Sequence, residues 1–164
     1  MTALLALDLS GDIGWATFDV TRPENDRVRF GTLPWRGQGY AAIAGKFTDW
    51  LHDFYSINPW QAMAWEEPWL NPKNDKVDKL KILIGLPIIA CGFANSERHK
   101  MPFTAVTPQD VKKRMTDRRD ADKADVIKAC WSVGWKVGTE HEADACGVAL
   151  CAYRRIWPKP AVPA

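Results

Sequence analysis

Four ionisable residues crowd the start of an otherwise apolar segment near the C-terminus, in "GTEHEADACGVALCAYRR": Glu140, His141, Glu142 and Asp144. Their spacing separates structural from chemical work. Thr139 and Glu142 stand at capping-box spacing, in which hydroxyl and carboxylate each satisfy a backbone amide at a helix start. Glu140 falls in the first turn and favours the positive end of the helix dipole. His141 and Asp144 are left on one face, which Val148 and Ala152 continue at four-residue steps. The rest of this helix is apolar nearly all round, so Asp144 is drawn toward the interior, where an unpaired carboxylate is costly. Metal coordination would resolve that cost.

Two further acids stand out by context. Asp8 closes a very apolar run, "ALLALDL", just before a Ser-Gly turn, and its ordinary role would be to accept backbone hydrogen bonds there. Glu66 closes "MAWE", where a plain strand-end charge is the ordinary reading. Each acid alone is more often structural than catalytic. Brought to one point, Asp8, Glu66, His141 and Asp144 form a set of hard oxygen donors with one imidazole, which suits Mg²⁺ or Mn²⁺. Two such ions, roughly 4 Å apart, activate water and stabilise the leaving oxygen in phosphodiester cleavage. Glu67 follows Glu66 directly, and strand alternation places only one of the two on the face that holds the site.

The elements that must position these residues follow from periodicity. Ala3 to Leu9 reads as a buried strand. "GDIG" reads as a tight turn, and Trp15 to Val20 and Arg27 to Leu33 alternate as a second and third strand, giving an antiparallel meander. Ile43, Phe47, Trp50, Leu51 and Phe54 repeat at helical spacing over about Tyr40 to Tyr55. "QAMAWEEPW" supplies a fourth strand. A second helix spans Val77 to about Ala94, with a kink or break expected at Pro87. "PFTAV" is a fifth strand. "TPQD" starts a short helix with Thr107 as cap, Asp122 to Trp131 forms another, and the last starts after Gly138. This order predicts an α/β fold in which helices flank a mixed sheet. If the first and fourth strands are neighbours, the last helix can bring its first turn to their ends. One domain is expected over residues 1–157, with a frayed proline-rich tail over 158–164.

Composition narrows the class. The 164 residues, 46% hydrophobic and 26% charged, suit one globular domain with a real core. No apolar run approaches the roughly 20 residues of a membrane helix, and the N-terminus reads as a strand, not a signal peptide. The expectation is a cytoplasmic protein with no membrane partner. Four cysteines, with no Cys-x-x-Cys pair and no histidine at zinc-finger spacing, read as reduced core thiols. Most of the nine tryptophans should pack the core, while a few could stack on exposed bases. Net charge is only +2, but Arg98 to Lys123 holds eight Lys or Arg against four Asp. Within it Lys112, Lys113, Arg114, Arg118, Arg119 and Lys123 are candidates for phosphate contact, against the ordinary reading of a solvated face. Lys79 and Lys81 give a weaker signal of the same kind, because acids interleave them.

"LALDLSGDIGWA", "MAWEEPW" and "EHEADACGVAL" resemble, in order and spacing, the three acidic motifs of RuvC-like Holliday-junction resolvases, particularly the phage and prophage branch. The resemblance runs over roughly residues 3 to 156. It implies the ribonuclease H-like fold, a five-stranded sheet with three antiparallel strands and then two parallel ones. It also implies metal ligands at Asp8, Glu66, His141 and Asp144, and two Mg²⁺ or Mn²⁺ ions per site. Glu66 is selected over Glu67 because the family's glutamate is commonly followed two residues later by proline, here Pro68. "TPQDVKKRMT" and "DADKADV" resemble the segment before the last helix, including its lysine at Lys123. The implied protein is a homodimeric endonuclease that cuts four-way junctions and other branched DNA to 5′-phosphate and 3′-hydroxyl ends. The second helix would help form the dimer and line the DNA. Two other readings keep the fold: a nuclease acting on forks, flaps or RNA–DNA hybrids, and a branched-DNA-binding module without catalysis.

Overall fold

The structure, a computed structural model, describes residues 3–158. Of the expected tail only Pro158 falls among them. Five strands form one sheet: β1 (Ala3–Leu9), β2 (Ile13–Asp19), β3 (Val28–Leu33), β4 (Ala62–Glu66) and β5 (Phe103–Val106). Their order is β3-β2-β1-β4-β5, with β1–β2 and β2–β3 antiparallel and β1–β4 and β4–β5 parallel. The helices are α1 (Tyr40–Ile57), α2 (Val77–Ala94), α3 (Pro108–Thr116), α4 (Lys123–Ser132) and α5 (Glu140–Ile156). None among the described residues is long and apolar enough to cross a membrane.

Strand alternation divides the core in two. Leu5, Leu7, Met63 and Trp65 face α1 and α2, where Ile43, Phe47, Leu51 and Leu86 complete one cluster. Leu4, Ala6, Ala16, Ala62 and Ala64 face the other side, with Val148, Ala149 and Ala152 of α5. This second face is mostly alanine, as is the α5 surface opposite it, so the helix can lie close to the sheet. Gly147 lets α3 close over α5 in turn: a Cβ there would stand 2.5 Å from Val111 Cγ1. Cys130 and Cys146 are buried and all four cysteines are free.

Three local expectations need correction. Strand β2 starts at Ile13, not Trp15, so Gly14 is a strand residue paired with Asp8 and only the residues before it turn. Helix α2 continues through Pro87, so the break allowed for there does not occur. It is anchored by Ile82, Leu83, Leu86, Ala90 and Phe93, all buried, and this packing outweighs one missing backbone donor. The capping box of α5 is half formed. The Thr139 hydroxyl accepts the Glu142 N–H at 3.1 Å, but the Glu142 carboxylate accepts the Gly138 N–H at 2.7 Å and not that of Thr139. A complete capping box stands instead on α4, between Asp122 and Asp125.

Candidate active site

Asp8 lies near the end of the central strand. The parallel register pairs Leu7 with Trp65, so Asp8 and Glu66 stand side by side one residue further on. Both continue the alanine face, Asp8 after Leu4 and Ala6, Glu66 after Ala62 and Ala64, and so point toward α5. Glu67, one residue on, is exposed and lines a different surface with Pro68 and Thr107. The close seat of α5 brings in the rest. His141 Nδ1 is 2.6 Å from Asp8 Oδ2, and the two side chains are only 12% and 13% exposed. Asp144 sits one turn deeper and acts electrostatically on Glu66, as Asp8 acts on both.

This convergence is possible because position 14 is glycine. A Cβ on Gly14 would stand 2.0 Å from the carbonyl oxygen of His141. The first turn of α5 therefore rests on the bare backbone of β2.

The electrostatics are unfavourable without a cation. Burial, then the Asp144 and Asp8 charges, pushes Glu66 up to about 8. Burial, then Asp8, pushes Asp144 up to about 7. The hydrogen bond to Asp8 raises His141 against its own desolvation. The ion pairs nearest the site, Lys123–Glu140 at 2.6 Å and His141–Asp8, leave Glu66 and Asp144 out. Lys112 and Lys123 act on Glu66 only as secondary, opposing influences. Three carboxylates that repel one another in a largely enclosed place are a donor set that fits a divalent cation. Among the described residues, however, no three His, Cys, Asp or Glu side chains stand together in ready-made ligand geometry. The His141 ring is engaged at both nitrogens, by Asp8 and by Arg36 Nη2 at 3.3 Å from Nε2.

The basic run divides in three. Lys112 and Lys123 lie near enough to Glu66 to act on its charge. Lys113 and Arg114 turn to the far end of α5, where they line a groove with Arg154 and Arg155. Arg118 is paired with Asp120 and Asp125, and Arg119 is exposed and acts on Asp110. On α2, Lys79 pairs with Asp75 at 2.6 Å, and Lys81 is exposed. Glu140 compensates more than a dipole, since Lys123 holds it. Sequence reasoning missed Ser10, whose Oγ lies 3.4 Å from His141 Nδ1, and Arg36, which also binds Asp12. Neither lies in a periodic or spaced motif. Gly14 leaves a trace in the sequence, as the last glycine of the expected "GDIG" turn.

Solved structures bear on this arrangement. Thermus thermophilus RuvC matches with a TM-score of 0.64 at 17% identity, covering 92% of each chain. T. thermophilus RuvC in complex with Holliday junction substrate matches at 0.71 and 19%, again over 92% of each. The chain has the ribonuclease H-like fold of RuvC. The yeast mitochondrial Holliday junction resolvase matches at 0.62 and 10%, over 93% of this chain and 78% of that one. No protein-family model matches the sequence, and no curated protein does.

Proposed function

We propose that this chain is a metal-dependent endonuclease that hydrolyses phosphodiesters in branched DNA, with four-way junctions as its preferred substrate. One observation supports the reading: Asp8 and Glu66, at adjacent strand ends, and Asp144, on the helix packed over them, lie close enough to act on one another's charge, on a fold shared with a protein solved on a Holliday junction. Asp8, Glu66 and Asp144, with His141 beside Asp8, would hold Mg²⁺ or Mn²⁺, two ions per site. Such ions, when bound, make water a nucleophile at neutral pH and offset charge at the phosphate.

The chain's own residues set the conditions around them. His141 Nδ1 lies within hydrogen-bond distance of Asp8 Oδ2, at 2.6 Å, and this contact orients the Asp8 carboxylate. The alanine face and α5 exclude water behind the carboxylates. Lys112 and Lys123 add positive charge at the same edge and would meet the DNA backbone there. Trp69, three residues beyond Glu66, is 79% exposed and offers a stacking plane for an unpaired base at a branch point. Val77, Ile84 and Ile88 form an exposed apolar stripe along α2. Two copies joined through it about a two-fold axis would present two sites to two strands. Light scattering should find a dimer that Ile88→Glu converts to monomer.

The test is a panel of labelled four-way junctions, forks, flaps, RNA–DNA hybrids and linear duplex, incubated with Mg²⁺, with Mn²⁺ and with EDTA. The expected result is cutting of the junction in the presence of metal alone, well ahead of linear duplex. Equal cutting of junction and duplex would refute junction selectivity. Preference for forks, flaps or hybrids would reassign the substrate, and binding without cutting would leave a non-catalytic module.

A further inference from the structure

A cavity of about 610 Å³ opens beside the site and not within it. It lies between the β1–β2 turn, the β3–α1 loop and the first turns of α2. Its floor is apolar, made by Ile82 and Leu83. Arg36, Lys76 and Lys79 stand around it against a single acid, Asp78. Lys79 is already paired with Asp75, whereas Lys76 carries no ion pair among the described residues. The loop contributes glycines at Gly37 and Gly39, both in the left-handed region at φ 84° and 80°, so at these two positions no side chain fills the space. Two of the lining residues also belong to the site's edge. Ser10 Oγ lies 3.4 Å from His141 Nδ1, and Arg36 Nη2 lies 3.3 Å from His141 Nε2.

We propose that this cavity is a nucleotide subsite, in which Arg36 and Lys76 grip the phosphate adjacent to the scissile one and the nucleoside rests on Ile82 and Leu83. The inference rests on the nuclease reading and adds a place for the neighbouring nucleotide. Volume, apolar floor and cationic rim match a nucleotide's own division into base, sugar and phosphate. Arg36 suits the grip because its guanidinium is planar, always charged and 66% exposed, and its contacts to Asp12 and His141 at 3.3 Å are long enough to exchange for a phosphate. Arg36 would thus register occupancy of the subsite at the His141 ring.

The test measures binding in EDTA by fluorescence anisotropy, on junctions carrying one neutral methylphosphonate at each successive position near the branch. In the wild type, one position should weaken binding by about 5- to 10-fold, and the salt dependence should fall by about one counterion. In Arg36→Ala and Lys76→Ala that same substitution should cost nothing further, while Arg36→Lys should recover part of the sensitivity. An abasic residue at the same position should weaken wild-type binding as well. Equal sensitivity of wild type and Arg36→Ala at every position would overturn the subsite, even if the protein cuts junctions. Coupling at one position with no metal-dependent cutting would retain the subsite and sink the nuclease reading instead.

Discussion

Gly14→Ala isolates the contact on which the candidate site depends. Position 14 is buried in β2 and has an ordinary φ, so alanine meets no backbone strain there. Considered locally, the change should be neutral or stabilise by about 0.4–1 kcal/mol through the unfolded chain. The tertiary contact reverses the sign. The added Cβ would lie 2.0 Å from the His141 carbonyl oxygen and 2.4 Å from its carbonyl carbon, where ordinary contact begins at 3.4 Å. The shortfall is 1.4 Å, backbone against side-chain root, and no rotamer change can absorb it. The first turn of α5 must retreat by about that distance, taking His141 from Asp8 and Asp144 from Glu66. Overpacking of this kind costs about 1–3 kcal/mol. A displacement near 1 Å of reacting groups costs about 10²-fold in rate. Urea denaturation and single-turnover junction cleavage in Mg²⁺ would read the two effects. Gly45→Ala is the control, because a Cβ there meets nothing within 4 Å. It should stabilise α1 by roughly 0.5–1 kcal/mol and leave cleavage unchanged. A Gly14→Ala protein as stable and as active as wild type would refute the argument.

Other outcomes follow from the same geometry. Asp8→Asn should abolish cleavage while junction binding in Ca²⁺ or EDTA persists; unchanged cutting would remove Asp8 from the site. Glu66 and Asp144 have raised pKa values in the folded state, so without divalent metal their contribution is favourable below about pH 4 and is lost as pH rises through about 7 to 8. Stability in EDTA should therefore fall across that window, by on the order of 4 kcal/mol for Asp144 taken singly. Asp144→Asn should flatten the slope, and Mg²⁺ should raise Tm more at pH 8 than at pH 5; a pH-independent Tm would contradict the burial argument. Trp69→Ala should weaken junction binding by about 1–3 kcal/mol with little change in Tm, read by anisotropy and thermal melting.

These predictions share one physical theme. The site is a local defect in an otherwise well-packed core. Burial and neighbouring charge disfavour the ionised forms of Glu66 and Asp144, a cost that the proposed divalent cation would offset. The Lys123–Glu140 pair sits just outside this enclosure, at 2.6 Å, so the lysine is steadied at the edge without neutralising Glu66 or Asp144. Lys123→Ala should accordingly lower junction affinity at low salt more than it lowers stability.

The sequence by itself determined every strand and α-helix that the described residues contain, with small shifts at their ends, while the 3-10 turn over Glu24–Asp26 lies where it indicated only a turn. Local periodicity and capping chemistry are contained within a few residues, so Thr107 and Thr139 announced their helices and the period-two runs announced the sheet. His141 and Asp144 were separable from Glu142 for the same reason, since helical spacing alone puts them on one face. Tertiary structure decided what depends on distant partners. Asp8 meets His141 across 133 residues and Arg36 meets it across 105, and no spacing rule links such positions. The Glu142 carboxylate accepts from Gly138 in place of Thr139, and Thr32, over a hundred residues away in sequence, contacts both the Thr139 hydroxyl and Glu142. One basic run became three surfaces because α3 packs against α5 on one side and borders the site on the other. The packing of α5 on a bare strand of alanine and glycine decided the most: it turned four scattered ionisable residues into one electrostatic unit.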